Sequence, residues 1–240
     1  IWCDDNYGYM TRLSDEEQQK RSGGAGVYYH LSYWGRPHDY MWLCTTQPGL
    51  IYSEMKQAYD CHARRLWIAN VHDLKPVAYD LELFLDMAWN IHSVSHSTLH
   101  QHQQNWLCRE FGQEAGEKLL PAMLEFYRLC GIRKPEFMGW NQVELDKRKY
   151  TKGWSPVINT AFSLTEFGGE LDRYLESYEA IKKVLLEVEP MIPAERKDAF
   201  FAQIKYPVFG AAAMSTKMLE AQRARCISPG SCDTTLWTRE

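Results

Sequence analysis

Gly26-Val27-Tyr28-Tyr29-His30-Leu31-Ser32-Tyr33 predicts a β-strand, because it is rich in β-branched and aromatic residues and follows the flexible segment Ser22-Gly23-Gly24-Ala25. Arg65-Leu66-Trp67-Ile68-Ala69-Asn70-Val71 predicts a second strand of the type that is buried on both faces. Helical spacing of apolar residues runs from Pro48 to Tyr59 and again from Tyr79 to Trp89. This alternation indicates parallel strands with crossover helices, as in a doubly wound sheet or the end of a (β/α) barrel.

The second part of the chain predicts helices without strands. Apolar residues recur at helical spacing in five segments, which begin near Thr98, Gln113, Leu171, Pro193 and Tyr206. The first of them opens with a capping-box pattern, in which Thr98 caps the helix. We therefore expect an α/β unit in residues 1–92, an all-α helical bundle in residues 93–226, and a disordered or aberrant tail in residues 227–240.

The amino-acid composition argues against several classes of protein. The 240 residues are 45% hydrophobic, which suffices for a packed core and excludes a disordered chain. A formal net charge of −4 gives no electrostatic reason to expect nucleic acid, and no apolar stretch is long enough to span a bilayer. The seven cysteines have no CxxC spacing, so they predict neither a disulfide framework nor a zinc site.

Polar side chains gather where the predicted strands end. Apolar runs are followed by such residues in three places, namely Asp4-Asp5-Asn6, the stretch from His30 to Tyr33, and the stretch from Asn70 to Asp73. Because the carboxyl ends of parallel strands meet at one edge, we expect these three segments to converge. Successive side chains of a strand point to opposite faces, so one of Asp4 and Asp5 is expected in a pocket while the other caps a turn.

Three histidines and one glutamate are further titratable candidates. His92, His96 and His100 have a spacing of four residues, but their surroundings are polar and rich in serine, so a solvated linker is the better interpretation. We assign them no metal. Glu54 lies inside a predicted helix, where we expect it to face solvent or another helix.

Four linked motifs resemble glycoside hydrolase family 115, the xylan α-1,2-glucuronidases. They are Asp4-Asp5-Asn6-Tyr7-Gly8, the stretch from Arg21 to His30, Tyr33-Trp34-Gly35, and the stretch from Trp67 to Pro76. The similarity covers roughly residues 1 to 225, with His72 departing from the small residue expected there. It implies the last strands of a (β/α)8 TIM-type barrel with an appended helical bundle, and an enzyme that removes glucuronic acid or its 4-O-methyl ether from xylan with inversion.

The resemblance also implies which residues form the site. By this likeness, Asp4, Asn6, Tyr28, His30, Tyr33 and Asn70 match positions that line the uronic-acid pocket. The chemistry of the residues adds Asp5 and Asp73, so that Asp4 and Asp5 are the catalytic candidates and Asp73 joins the candidates for binding the sugar. No cofactor and no metal are expected. Glucuronoxylan or its oligosaccharides are the expected partner, without nucleic acid or membrane, and a homodimer of the full-length parent stays open.

Ile1 already lies in a strand-like pattern, so we expect a fragment of a larger, periplasmic or secreted bacterial enzyme. The other acidic residues of the pocket are then expected upstream, and the fragment is expected to be inactive alone. Two alternatives stay open, namely a barrel hydrolase that acts on another glycan and a non-catalytic protein that binds or scaffolds glycans.

Overall fold

The protein is a mixed α/β structure with many helices. The computed structural model describes residues 1–33, 43–138, 142–143, 157–158 and 162–227. The strands are β1 (Trp2–Cys3), β2 (Gly26–His30), β3 (Leu66–Asn70), β4 (Gln142–Val143) and β5 (Val157–Ile158). The α-helices are α1 (Glu16–Gln19), α2 (Pro48–Asp60), α3 (Ala78–Trp89), α4 (Leu99–Phe111), α5 (Gln113–Ile132), α6 (Glu170–Val188), α7 (Lys197–Phe200) and α8 (Tyr206–Ile227). The predicted combination of an α/β part and many helices is confirmed.

The first three strands form a parallel sheet in the order β1-β2-β3. Cys3 pairs with Tyr28, and His30 pairs with Asn70, so the three strands end at the same edge. The crossovers carry α1 and α2, which is the connection that parallel neighbours require. β4 and β5 form a separate antiparallel pair.

Aromatic side chains fill the space between the sheet and the helices. The ring of Tyr29 stacks on Phe84 of α3 at a centroid distance of 6.0 Å, and Trp67 of β3 contacts the same ring at 5.6 Å. Tyr29 and Phe84 are fully buried, together with Ile51 and Met55 of α2. Burial of these side chains drives α2 and α3 onto the sheet.

A second and larger hydrophobic cluster joins α4, α5, α6 and α8. Its largest fully buried members are Phe111, Phe126, Tyr178 and Phe200. Between α7 and α8 the chain makes a π-helical turn, Phe201–Lys205. None of the described helices combines the length and the hydropathy that crossing a membrane requires.

Several predicted boundaries differ from the observed ones. β2 ends at His30 instead of continuing to Tyr33. Thr98 does not cap α4, because its hydroxyl accepts from the backbone N–H of Ser95 in the preceding turn. Apart from Ile227, which ends α8, the predicted tail lies outside the described residues.

Gly26 is required at the start of β2 because of its close contact with β3. A Cβ added to Gly26 would lie 2.3 Å from the backbone carbonyl oxygen of Leu66. We expect Gly26→Ala to lower the free energy of unfolding by roughly 2 to 3 kcal/mol, measured by urea denaturation. Gly23→Ala is the control, because nothing lies within 4 Å of its added Cβ. Equal stabilities of the two variants would contradict this account of the β2–β3 contact.

Candidate active site

The buried carboxylate of Asp4 joins β1 to β2. Its Oδ2 accepts from the backbone N–H groups of Gly8 at 3.2 Å and His30 at 3.0 Å, and its Oδ1 accepts from that of Asn6 at 3.3 Å. The side chain of Asp4 has no exposed surface. Buried N–H groups need such partners, so Asp4 holds the loop after β1 against the end of β2.

The same carboxylate orients the imidazole of His30. Nδ1 of His30 lies 2.5 Å from Oδ1 of Asp4, and the His30 side chain is 9% exposed. Because an ionised carboxylate only accepts hydrogen bonds, Nδ1 carries the proton and donates it. Nε2 is then the ring nitrogen that remains for a ligand, as an acceptor in the neutral ring and as a donor in the charged one.

Tyrosine rings surround this histidine. The ring centroids of Tyr28 and His30 are 5.2 Å apart, and those of His30 and Tyr33 are 5.5 Å apart, both in edge-on geometry. Tyr7 continues the wall, with its ring centroid 5.4 Å from that of Tyr33. Edge-on packing of this kind holds the rings in place.

Asn70 brings the end of β3 into the same group. Its side-chain Nδ2 donates to the hydroxyl of Tyr28 at 2.7 Å. We call Asp4, Tyr28, His30, Tyr33 and Asn70 the His30 cluster. The expected convergence of three strand ends is therefore present in the geometry, and amide, hydroxyl, imidazole and carboxylate groups meet at one edge of the sheet.

Asn6 and Asp5 occupy the turn after Asp4. Asn6 is half-buried and has a φ of 75°, a left-handed conformation that Asn tolerates better than most residues. Asp5 is exposed, and its Oδ1 accepts from the backbone N–H groups of Tyr7 at 2.8 Å and Tyr9 at 3.1 Å. Of the two adjacent carboxylates, Asp5 caps the turn and Asp4 faces the interior.

Two residues outside the predicted site also hold this turn. Glu54 of α2 accepts from the backbone N–H of Met10 at 2.9 Å, so the expectation that it faces solvent or another helix was wrong. The hydroxyl of Tyr29 donates to the carbonyl of Gly8 at 2.9 Å. Both contacts span more than twenty residues in sequence, so no local pattern points to them.

Asp73 lies on the exposed surface after β3. Its side chain is 61% exposed, and its carboxylate lies 3.2 Å from Nδ1 of His72. It lines a cavity of about 730 Å³ together with Phe201 and Tyr206 from the region around the π-helical turn. The structure thus places Asp73 beside an exposed aromatic surface, while the His30 cluster forms without it.

A second cavity, of about 460 Å³, lies between the turn after β1 and the ends of two helices. We call it the Arg133 cavity. Tyr7 and Tyr9 come from the turn, and the chain around the first residues of α2 and the last residues of α5 supplies the remaining lining: Thr45, Thr46, Gln47, Leu50, Cys130, Gly131, Ile132, Arg133 and Lys134.

Buried polar contacts lie beside this cavity. The hydroxyl of Thr45 donates to Oε1 of Glu136 at 2.7 Å and accepts from Nζ of Lys134 at 3.1 Å. Close by, the thiol of Cys44 donates to Oδ2 of Asp80 at 2.7 Å. Burial raises the pKa of Asp80 to about 7 and also raises the pKa of Glu136, because a charged carboxylate loses its hydration there.

One group of side chains at the site has the composition of a cation ligand set. Potential ligand atoms of Cys3, Asp4 and His30 lie within 4.8 Å of one another. Oδ1 of Asp4, however, already accepts from both the thiol of Cys3 and the ring of His30. A cation would have to replace these hydrogen bonds, so we assign no metal to this group.

Comparison with known proteins agrees with the resemblance in the sequence. The sequence model of glycosyl hydrolase family 115 matches residues 1–137. A solved structure of a family GH115 4-O-methyl-α-glucuronidase with specificity for decorated arabinogalactans is 45% identical, with a TM-score of 0.82. The similarity covers 93% of this chain and 28% of the solved chain, so our chain spans less than a third of that enzyme. A search of curated proteins gave no match.

The family match covers more than half of the chain and includes the whole His30 cluster. The structural similarity extends it over nearly all of the sequence. The chain belongs to glycoside hydrolase family 115.

Proposed function

We propose that this chain forms part of a glycosidase that removes glucuronic acid, or its 4-O-methyl ether, from the side chains of xylan with inversion. The observation that carries the proposal is the His30 cluster at the carboxyl edge of a parallel sheet, where ligands of such sheets bind. The family membership and the activity named for the similar solved enzyme support the removal of a glucuronic acid unit.

The chemistry of the His30 cluster suits an acidic sugar. A uronic acid presents a carboxylate and several hydroxyl groups, which require hydrogen-bond donors as well as acceptors. His30 and Tyr33 would bind the carboxylate end, while Tyr28 and Asn70, already joined at 2.7 Å, would contact ring hydroxyls. Asp4 then acts through His30 as a positioning residue, since its own side chain has no exposed surface.

An inverting glycosidase needs an acid and a base carboxylate about 6.5 to 9.5 Å apart. Asp4 is occupied by hydrogen bonds and Asp5 caps an exposed turn, so neither is well placed for these roles. We propose that the acid and the base come from other strands of a (β/α)8 barrel, in which β1, β2 and β3 are the last strands. In that arrangement residues 1–92 complete the barrel, residues 93–226 form the appended bundle, and the chain alone binds sugar without hydrolysing it.

A chimera tests the proposed activity directly. Residues 1–227 replace the matching segment of the similar glucuronidase, and release of 4-O-methylglucuronic acid is assayed on glucuronoxylan and on decorated arabinogalactan. We expect activity on glucuronoxylan, with the inverted anomer appearing first in proton NMR. His30→Ala is expected to lower kcat/KM by at least about a hundredfold, because the transition state loses an oriented hydrogen-bond partner.

His96→Ala is the matched control, because His96 is an exposed histidine in the turn before α4. It should keep the rate of the parent chimera. A chimera that keeps its full rate with His30→Ala would end the proposal for the His30 cluster. Hydrolysis of arabinogalactan alone would move the substrate from xylan to that glycan.

A further inference from the structure

The cavity beside Asp73 exposes three large apolar side chains. Leu74 is 65% exposed, Phe201 55% and Tyr206 43%, and all three line the same cavity of about 730 Å³. A contiguous apolar surface of this kind marks a place where something binds, whereas single exposed apolar residues are common and need no explanation. We call it the Phe201 cavity.

A π-helical turn sets the two aromatic rings side by side. The backbone N–H of Tyr206 donates to the carbonyl of Phe201 across that turn. In an α-helix, side chains five positions apart point to different faces, but the i→i+5 hydrogen bond of a π-helical turn brings them to the same one. The ring centroids are 6.0 Å apart, with an angle of 44° between the ring planes. Turns of this type are rare and frequently occur at functional sites.

Polar groups of both charges border this aromatic pair. Asp73, whose carboxylate lies 3.2 Å from Nδ1 of His72, lines the cavity together with the exposed Lys75. A carboxylate accepts more than one hydrogen bond, and an ammonium group donates up to three. The hydroxyl groups of a sugar both donate and accept, so they match this border, whereas one carboxylate and one ammonium group give no excess charge for an ionic ligand. The lining therefore suits a neutral sugar, whose ring face packs on aromatic rings.

The segment that lines the cavity starts from the same sheet edge as the His30 cluster. β3 ends at Asn70, and His72, two residues later, begins the lining of the cavity. The backbone N–H of His72 donates to the hydroxyl of Ser32 at 2.8 Å, and Ser32 lies between His30 and Tyr33 in the sequence. A glycan with its uronic acid in the His30 cluster would extend its neighbouring sugar units from this edge.

We propose that the Phe201 cavity binds neutral sugar units of a xylan main chain whose glucuronic acid branch occupies the His30 cluster. Phe201 and Tyr206 pack against two consecutive xylose rings, and Asp73 and Lys75 bind their hydroxyl groups. Xylose lacks the hydroxymethyl group of hexoses, so its ring faces are flat, and the tilt between the aromatic planes suits consecutive units that are turned relative to one another. The identity of the glycan rests on the proposed function, while the exposed aromatic pair and its polar border do not.

NMR titration of the 240-residue chain with xylotetraose tests this site. The methyl groups of Leu74 and Ala202 report on the cavity, and we expect a saturable shift of their signals. Phe201→Ala should weaken the binding by at least about tenfold, because the sugar loses its aromatic contact, while Phe201→Trp should keep it. Phe167→Ala is the matched control, since Phe167 is an exposed phenylalanine in the turn before α6, and it should leave the affinity unchanged.

Phe201→Leu separates ring stacking from a simple apolar contact. Leucine keeps an apolar side chain but has no ring face, so xylotetraose should bind about fivefold more weakly. Equal affinity of this variant and the wild type would overturn the proposal. Equal shifts with galactotetraose would overturn the assignment to xylan, because the axial hydroxyl group of galactose interrupts the flat ring face.

Two further measurements distinguish other outcomes. Concentration-dependent self-association in sedimentation velocity that Phe201→Ala abolishes would overturn the proposal, because the cavity would then be a contact between copies of this chain. A second titration, with sodium D-glucuronate, is followed at the side-chain amide of Asn70 in the His30 cluster. Silence of Leu74 with xylotetraose while Asn70 responds to glucuronate would overturn this inference alone. The reverse pattern would overturn the proposed function alone, and silence of both would overturn the two together.

Discussion

Asp4→Ala is expected to lower the free energy of unfolding of this chain by about 4 kcal/mol. The change leaves the backbone N–H groups of Asn6, Gly8 and His30, and Nδ1 of the His30 ring, without their acceptor. Each buried donor that loses its partner costs about 1 to 3 kcal/mol, and part of that is recovered as the turn relaxes and admits water. Urea denaturation followed by tryptophan fluorescence measures the difference.

Asp5→Ala provides a matched control at the neighbouring position. Asp5 also accepts two backbone N–H groups, but it does so at the exposed surface, where water can replace it. We expect a loss below about 1 kcal/mol. Similar losses for the two variants would show that Asp4 does not hold the end of β2, and the positioning role of Asp4 would fall with it.

Asp80→Asn is expected to remove a pH dependence of stability. Asp80 is fully buried, and this burial raises its pKa to about 7, although the hydrogen bond from the thiol of Cys44 and the charge of Lys134 oppose the shift. The folded state therefore holds the proton more tightly than the unfolded state does. Stability contributed by the protonated form is complete below about pH 4 and is lost as the pH rises towards 7.

The size of this effect follows from the shift in the pKa. Raising the pKa from 3.8 to about 7 corresponds to about 4 kcal/mol in total, of which roughly 2 to 3 kcal/mol falls between pH 5 and pH 8. The stability of Asp80→Asn relative to the wild type should increase by that amount over the same interval. Asp60→Asn is the control, since Asp60 is exposed and paired with Lys56. A constant difference between wild type and Asp80→Asn would contradict the buried, protonated state.

The elements with a strong apolar period were predictable from the sequence. β2, β3, α2 and α6 lie within a few residues of their predicted positions, because burial on one face or on both imposes a regular spacing. The errors occur where another hydrogen bond competes with the one that a local sequence rule predicts. Thr98 matches a capping box in sequence, yet its hydroxyl bonds to the preceding turn instead of the helix.

The position of the candidate site could be predicted from the sequence, but the role of each residue in it could not. Parallel strand ends must meet, so the grouping of Asp4, His30 and Asn70 follows from the order of the elements. Which of two adjacent aspartates turns inward depends on the turn that follows, and a sequence does not reveal that conformation. The Arg133 cavity joins segments more than eighty residues apart in sequence, so its cations carried no local signal.

Two hydrogen bonds connect one hydrophobic cluster to the other. The hydroxyl of Thr45 donates to Glu136, and the side chain of Gln47 donates to the backbone carbonyl of Tyr127. They belong to a short segment that also opens α2, the helix that packs on the sheet. Unfolding of the helices α4 to α8 would remove the hydrogen-bond partners of this segment and leave its buried polar atoms unpaired. We therefore expect the two clusters to unfold together despite their separate interiors.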